Sequence, residues 1–61
     1  MKRRDLEAHL AIYGCLLYRQ GGAHSVFVDS SRTKTTAVPR HGEIKKGTVR
    51  QICKALGIPE P

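Results

Sequence analysis

Three histidines, His9, His24 and His41, carry the side chain whose charge changes near neutral pH and which can therefore hold or release a proton in catalysis. Their settings differ. His24 follows Gly21-Gly22 and opens a strand, so a rigid element holds its ring with open approach, a placement that suits a catalytic side chain. The structural reading of the same residue is an edge-strand histidine facing water. His9 lies among helix charges and reads as solvated, and His41 sits in the basic loop Pro39-Arg40-His41-Gly42, where it contacts phosphate, caps the next helix, or does neither. Cys15 and Cys53 fall on apolar positions of their elements and read as buried free thiols. No C-x-x-C or H-x-x-x-H spacing joins them to a histidine, so a metal site is not expected. There is no Ser/His/Asp pattern, no carboxylate pair and no phosphate-cradling glycine loop. Five acidic residues leave glycosidase or metal-dependent nuclease chemistry without its ligands. A metal-free, cofactor-free acid–base mechanism is what remains.

Charge points to the substrate class. From Arg32 to Lys54 seven basic residues (Arg32, Lys34, Arg40, Lys45, Lys46, Arg50, Lys54) face Glu43 alone, and this balance of +6 is the whole excess of the chain. Elsewhere Lys2, Arg3, Arg4 and Arg19 cancel Asp5, Glu7, Asp29 and Glu60. A basic face built by the C-terminal half selects polyanions; the plainer reading is a surface that keeps a small protein soluble.

The elements that position these residues follow from periodicity. Leu6, Leu10 and Tyr13 recur at spacings of four and three, predicting an amphipathic helix over Asp5 to Tyr13 that Gly14 ends. Cys15 to Gln20 alternates Cys15, Leu17 and Arg19 against Leu16, Tyr18 and Gln20, then meets Gly21-Gly22 and continues as Ala23 to Asp29, which predicts a hairpin. In its second strand His24, Val26 and Val28 share one face, Ser25, Phe27 and Asp29 the other. The polar run Asp29 to Lys34 reads as a turn, and Thr35-Thr36-Ala37-Val38 as a third strand ended by Pro39. Val49, Ile52, Cys53 and Leu56 then mark a helix over Thr48 to Leu56, closed by Gly57 and Pro59.

This α-β-β-β-α order predicts an α+β fold, a three-stranded antiparallel sheet with both helices packed on one face, as a single domain over residues 1–61. At 61 residues its core rarely supplies more than roughly 3 to 5 kcal/mol, so a large internal cavity is excluded and any active site is expected on the surface. No apolar run approaches the roughly 18 residues of a membrane span, and the basic start lacks the apolar stretch of a signal peptide. The expected location is the cytoplasm.

The run Gly21-Gly22-Ala23-His24-Ser25-Val26-Phe27 is followed by Val38-Pro39-Arg40-His41-Gly42-Glu43-Ile44-Lys45-Lys46-Gly47-Thr48 and then by Ile52-Cys53-Lys54-Ala55-Leu56-Gly57-Ile58. In this order and spacing the chain resembles the HicA family of mRNA interferase toxins, and the opening Arg4-Asp5-Leu6 to Tyr13-Gly14-Cys15 matches that family's first helix. The resemblance covers nearly all of the chain. It implies a double-stranded-RNA-binding-like fold, ribosome-independent cleavage of RNA and neutralisation by a HicB-type antitoxin, with His24 as the essential histidine after the glycine turn. On that basis His24 is expected to act as general base on an RNA 2′-hydroxyl, supported by Gly21 and Gly22. Arg40, His41, Lys45, Lys46, Arg50 and Lys54 are expected to hold the RNA backbone. The rival readings are a non-catalytic RNA-binding module of the same fold and a DNA-binding partner using the second helix, against which stands the lack of a helix-turn-helix spacing before Thr48.

Overall fold

The computed structural model describes residues 1–61 and has the expected order: α1 (Arg3–Ile12), β1 (Leu16–Gln20), β2 (His24–Val28), β3 (Thr35–Pro39) and α2 (Lys46–Leu56). The strands form one antiparallel sheet in the order β1-β2-β3. One face of that sheet meets both helices. Leu6 and Leu10 of α1, Phe27 and Val38 of the sheet, and Val49, Ile52, Cys53 and Leu56 of α2 join Cys15 and Ile44 in a single core. Val38 pairs with Ser25 and Thr36 with Phe27, so Ser25 and Phe27 turn inward, and alternation sends His24, Val26 and Val28 to the outer face.

Three local features depart from simple periodicity. Tyr13 does not continue the buried stripe of Leu6 and Leu10; it is the C-cap of α1, and its ring packs at 5.1 Å from that of His9. Helix α2 begins at Lys46, two residues before Thr48, and carries Gly47 in its first turn, where nothing lies within 4 Å of a would-be Cβ. In β1 the register shifts between Leu17 and Arg19: Leu17 pairs with Phe27, but Arg19 pairs with Val26. The extra residue is a β-bulge, and it moves Arg19 from the helix-facing side, where strict alternation puts it with Leu17, to the outer side.

Two glycines end the helices in the left-handed conformation, Gly14 at φ 78° and Gly57 at φ 71°. At Gly57 the N–H of Ile58 reaches back to the carbonyl of Cys53 at 3.0 Å and so satisfies an orphan helix carbonyl. The β2–β3 turn is organised by the buried Asp29. Its carboxylate accepts from the Ser31 hydroxyl at 2.7 Å and from the backbone N–H groups of Thr33 and Lys34 at 2.9 and 3.0 Å. These donors, Ser31 first, hold its carboxyl down at about 2.

Candidate active site

His24 is the first residue of β2, exposed, and in register with Pro39 of β3. The turn before it is tight. Gly21 N–H donates to the His24 carbonyl at 2.8 Å, leaving Gly22 and Ala23 at the tip. Neither Gly21 nor Gly22 is left-handed, so this is not the primed turn that a glycine pair usually marks. The need for glycine is one of space. A Cβ on Gly21 would stand 3.0 Å from the His24 carbonyl oxygen, whereas a Cβ on Gly22 would meet nothing within 4 Å.

The Pro39-Arg40-His41 segment holds this turn from the other side. Arg40 N–H donates to the Ala23 carbonyl at 3.2 Å, and its Nη1 donates to the Gly21 carbonyl at 3.1 Å and, more distantly, to that of Gly22 at 3.5 Å. Arg3 in turn donates from Nη1 to the Arg40 carbonyl at 3.2 Å. The start of α1 is tied to the same loop, with Arg3 N–H on Gly42 O at 3.0 Å and Ile44 N–H on Met1 O at 2.7 Å. Ile44 anchors the loop in the core, only 2% exposed. His24 therefore stands on a turn braced by two other segments, as a side chain that must be positioned requires.

Beyond the loop lies a surface groove of about 270 Å³ lined by Pro39, His41, Glu43, Ile44, Lys45 and Thr48. Lys45, Lys46, Arg50 and Lys54 are all exposed, and Lys46, Arg50 and Lys54 repeat every four residues as one stripe along roughly 12 Å of α2. Arg50 lies 3.7 Å from the Glu60 carboxylate, while the three lysines have no carboxylate within 4 Å. The basic half is thus not a single face. Helix α2 covers the inner side of the sheet and His24 turns to the outer side, the two meeting at the sheet end through the loop from Arg40 to Lys45.

Two placements come from the fold rather than from the sequence pattern. Arg40 was expected among the RNA contacts, yet one nitrogen of its guanidinium is committed to the turn that carries His24. Arg19 counts in the sequence only as one of the charges that cancel outside Arg32 to Lys54, and the bulge puts it on the His24 side of the sheet. Neither placement has a composition signal, although an unpaired arginine beside a glycine turn marks the neighbourhood. Cys15 and Cys53 are buried free thiols, as expected, and burial pushes both thiols up, with Asp29 adding to the effect at Cys15. No three His, Cys, Asp or Glu side chains come together in a group able to hold a metal ion. No helix is long and apolar enough to cross a membrane.

Comparison with known proteins adds one finding. Neither the curated proteins nor the solved structures contain a significant match to the chain. The family model described as the HicA toxin of bacterial toxin–antitoxin systems matches residues 3–58, a span that runs from the start of α1 past the end of α2 and includes the His24 turn, the Arg40 loop and the lysine stripe. The chain belongs to the HicA toxin family.

Proposed function

We propose that this toxin is a metal-independent endoribonuclease that cleaves mRNA in the cytoplasm with His24 as general base. The observation that carries the reading is an exposed imidazole on a turn braced by Arg40, in a chain of a family of mRNA-cleaving toxins. RNA supplies its own nucleophile. Neutral His24 takes the proton of a 2′-hydroxyl, the O2′–P bond forms as the P–O5′ bond breaks, and the 5′-oxygen leaves with a proton from water. The products are a 2′,3′-cyclic phosphate and a free 5′-hydroxyl. General-base help of this kind is worth roughly 10² to 10⁴ in rate. Lys45, Lys46, Arg50 and Lys54 hold phosphates downstream or upstream of the cut, His41 contacts the strand in the groove beside Pro39, and Arg40 adds charge at the turn itself.

A toxin needs restraint, and the cognate partner is a HicB-type antitoxin that covers His24. The exposed Leu16, Leu17 and Tyr18 of β1, the strand paired with the one that carries His24, give such a partner apolar anchors, while the basic surface speeds its encounter.

The test uses the purified chain, its His24→Ala variant and the chain co-purified with its antitoxin, each incubated with end-labelled RNA with and without EDTA. The expected result is cleavage by the wild type, a loss of roughly 10² to 10⁴ in rate for His24→Ala, and protection in the complex. Binding without cleavage by the wild type would instead establish a non-catalytic RNA-binding module, and activity lost on chelation would overturn the metal-free mechanism.

A further inference from the structure

We propose that Arg19 is a second catalytic residue, the cation that neutralises charge building on the phosphorane oxygens next to His24. This assignment rests on the ribonuclease reading and adds to it a group that the family match does not single out. Three observations lead to it. The lysine stripe of α2 belongs to the layer on the far side of the sheet from His24, so it holds the strand but does not surround the reacting phosphate. Within the three strands Arg19 is the only lysine or arginine, and no aspartate or glutamate accompanies it. The bulge between Leu17 and Arg19 sets Arg19 opposite Val26, and Val26 shares its face with His24 two residues earlier.

Arg19 and His24 are therefore diagonal neighbours across β1 and β2. Diagonal positions in a sheet lie roughly 7 to 8 Å apart, within reach of long side chains. That gap suits a phosphodiester held between an imidazole on one side and a guanidinium on the other. Without the bulge Arg19 would point toward the helices with Leu17, and bulges recur beside active sites because they re-aim a side chain in this way. Arg19 is exposed and no carboxylate lies within 4 Å of it, so its charge is not spent inside the protein. Its planar fork of donors matches two phosphoryl oxygens, and the trigonal-bipyramidal intermediate carries more negative charge than the diester it comes from. The cation thus binds the transition state better than the substrate, which is what lowers a barrier.

The experiment measures kcat and KM for RNA cleavage by the wild type, Arg19→Gln, Arg19→Lys and Lys45→Gln, with thermal unfolding of each as a check on folding. Arg19→Gln is expected to lower kcat by about 10²-fold, in line with loss of one oxyanion donor, while KM moves by less than about threefold and the unfolding temperature stays put. Arg19→Lys keeps the charge without the fork and is expected to recover part of that loss. Lys45→Gln is expected to raise KM instead. If the wild type cleaves RNA and Arg19→Gln keeps its kcat, or loses activity only through KM, Arg19 is not a transition-state residue and the assignment falls alone. If the wild type cleaves no RNA under any condition tested, the ribonuclease reading falls and takes this assignment with it.

Discussion

At the scale of single residues, backbone and side-chain hydrogen bonds fix the turn that carries His24, through the Gly21 N–H from within and Arg40 from outside. His24 was legible from its neighbours in the chain, because a glycine pair before an apolar run announces a turn and a strand start. Arg40 was not, since its hydrogen bonds to the carbonyls of Gly21 and Gly22 join residues 18 and 19 positions apart, and long-range pairing leaves no local pattern. Asp29 illustrates how one buried carboxylate organises a turn with three donors, and it yields a pH prediction whose sign is fixed. Its folded value of about 2 lies below its ordinary one. Its stabilising effect is therefore complete above about pH 4, the unfolded value, and fades as the pH falls toward about 2. Asp29→Asn is expected to lower stability at neutral pH and to flatten the acid limb of a urea-unfolding series between those limits. An acid limb identical to that of the wild type would show that other carboxylates carry it.

Among the elements, α-β-β-β-α was readable because helical and strand periodicities alternate cleanly and glycines stand at the ends of both helices. Val49, Ile52, Cys53 and Leu56 are all buried where spacing put them. The bulge was not readable, because Leu17-Tyr18-Arg19 contains no glycine or proline and strict alternation fits it equally well; only pairing with β2 reveals the extra residue. The two helix-ending glycines have different neighbours and so differ in predicted cost. Gly57→Ala meets only the Lys34 side chain at 3.6 to 3.7 Å, so its penalty is the left-handed backbone alone, roughly 1 to 2 kcal/mol. Gly14→Ala adds a contact of 3.0 Å with the Ser30 Cβ to the same backbone penalty and should be the more destabilising. Urea midpoints of the two variants check the order, and equal or reversed losses would mean that the Ser30 turn yields without cost. Either loss is large for a domain of a size whose core rarely supplies more than roughly 3 to 5 kcal/mol.

For the whole molecule, the histidine and the basic side chains divide between two layers. The outer face of the sheet carries His24 and Arg19, the helix side carries the lysines, and the braced loop from Arg40 to Lys45 connects them at one end of the sheet. Net charge is visible in composition, but its division between the outer face of the sheet and the helix layer follows from tertiary packing. RNA affinity should accordingly fall with salt, and removal of Lys45, Lys46 or Lys54 should flatten that dependence by up to about 0.7 to 0.9 per lost phosphate contact, whatever the RNA sequence. Filter binding across a salt series reads the slope; an unchanged slope in all three variants would move the RNA path off α2. The central claim, that the RNA attacks itself through a 2′-hydroxyl activated by His24, is tested most directly by changing the substrate rather than the protein. Once the preferred cut in a short RNA is mapped, the same RNA is made with one 2′-deoxyribose immediately 5′ of that cut. The account predicts that the substituted RNA still binds and is no longer cut there, and continued cleavage at that bond would contradict it.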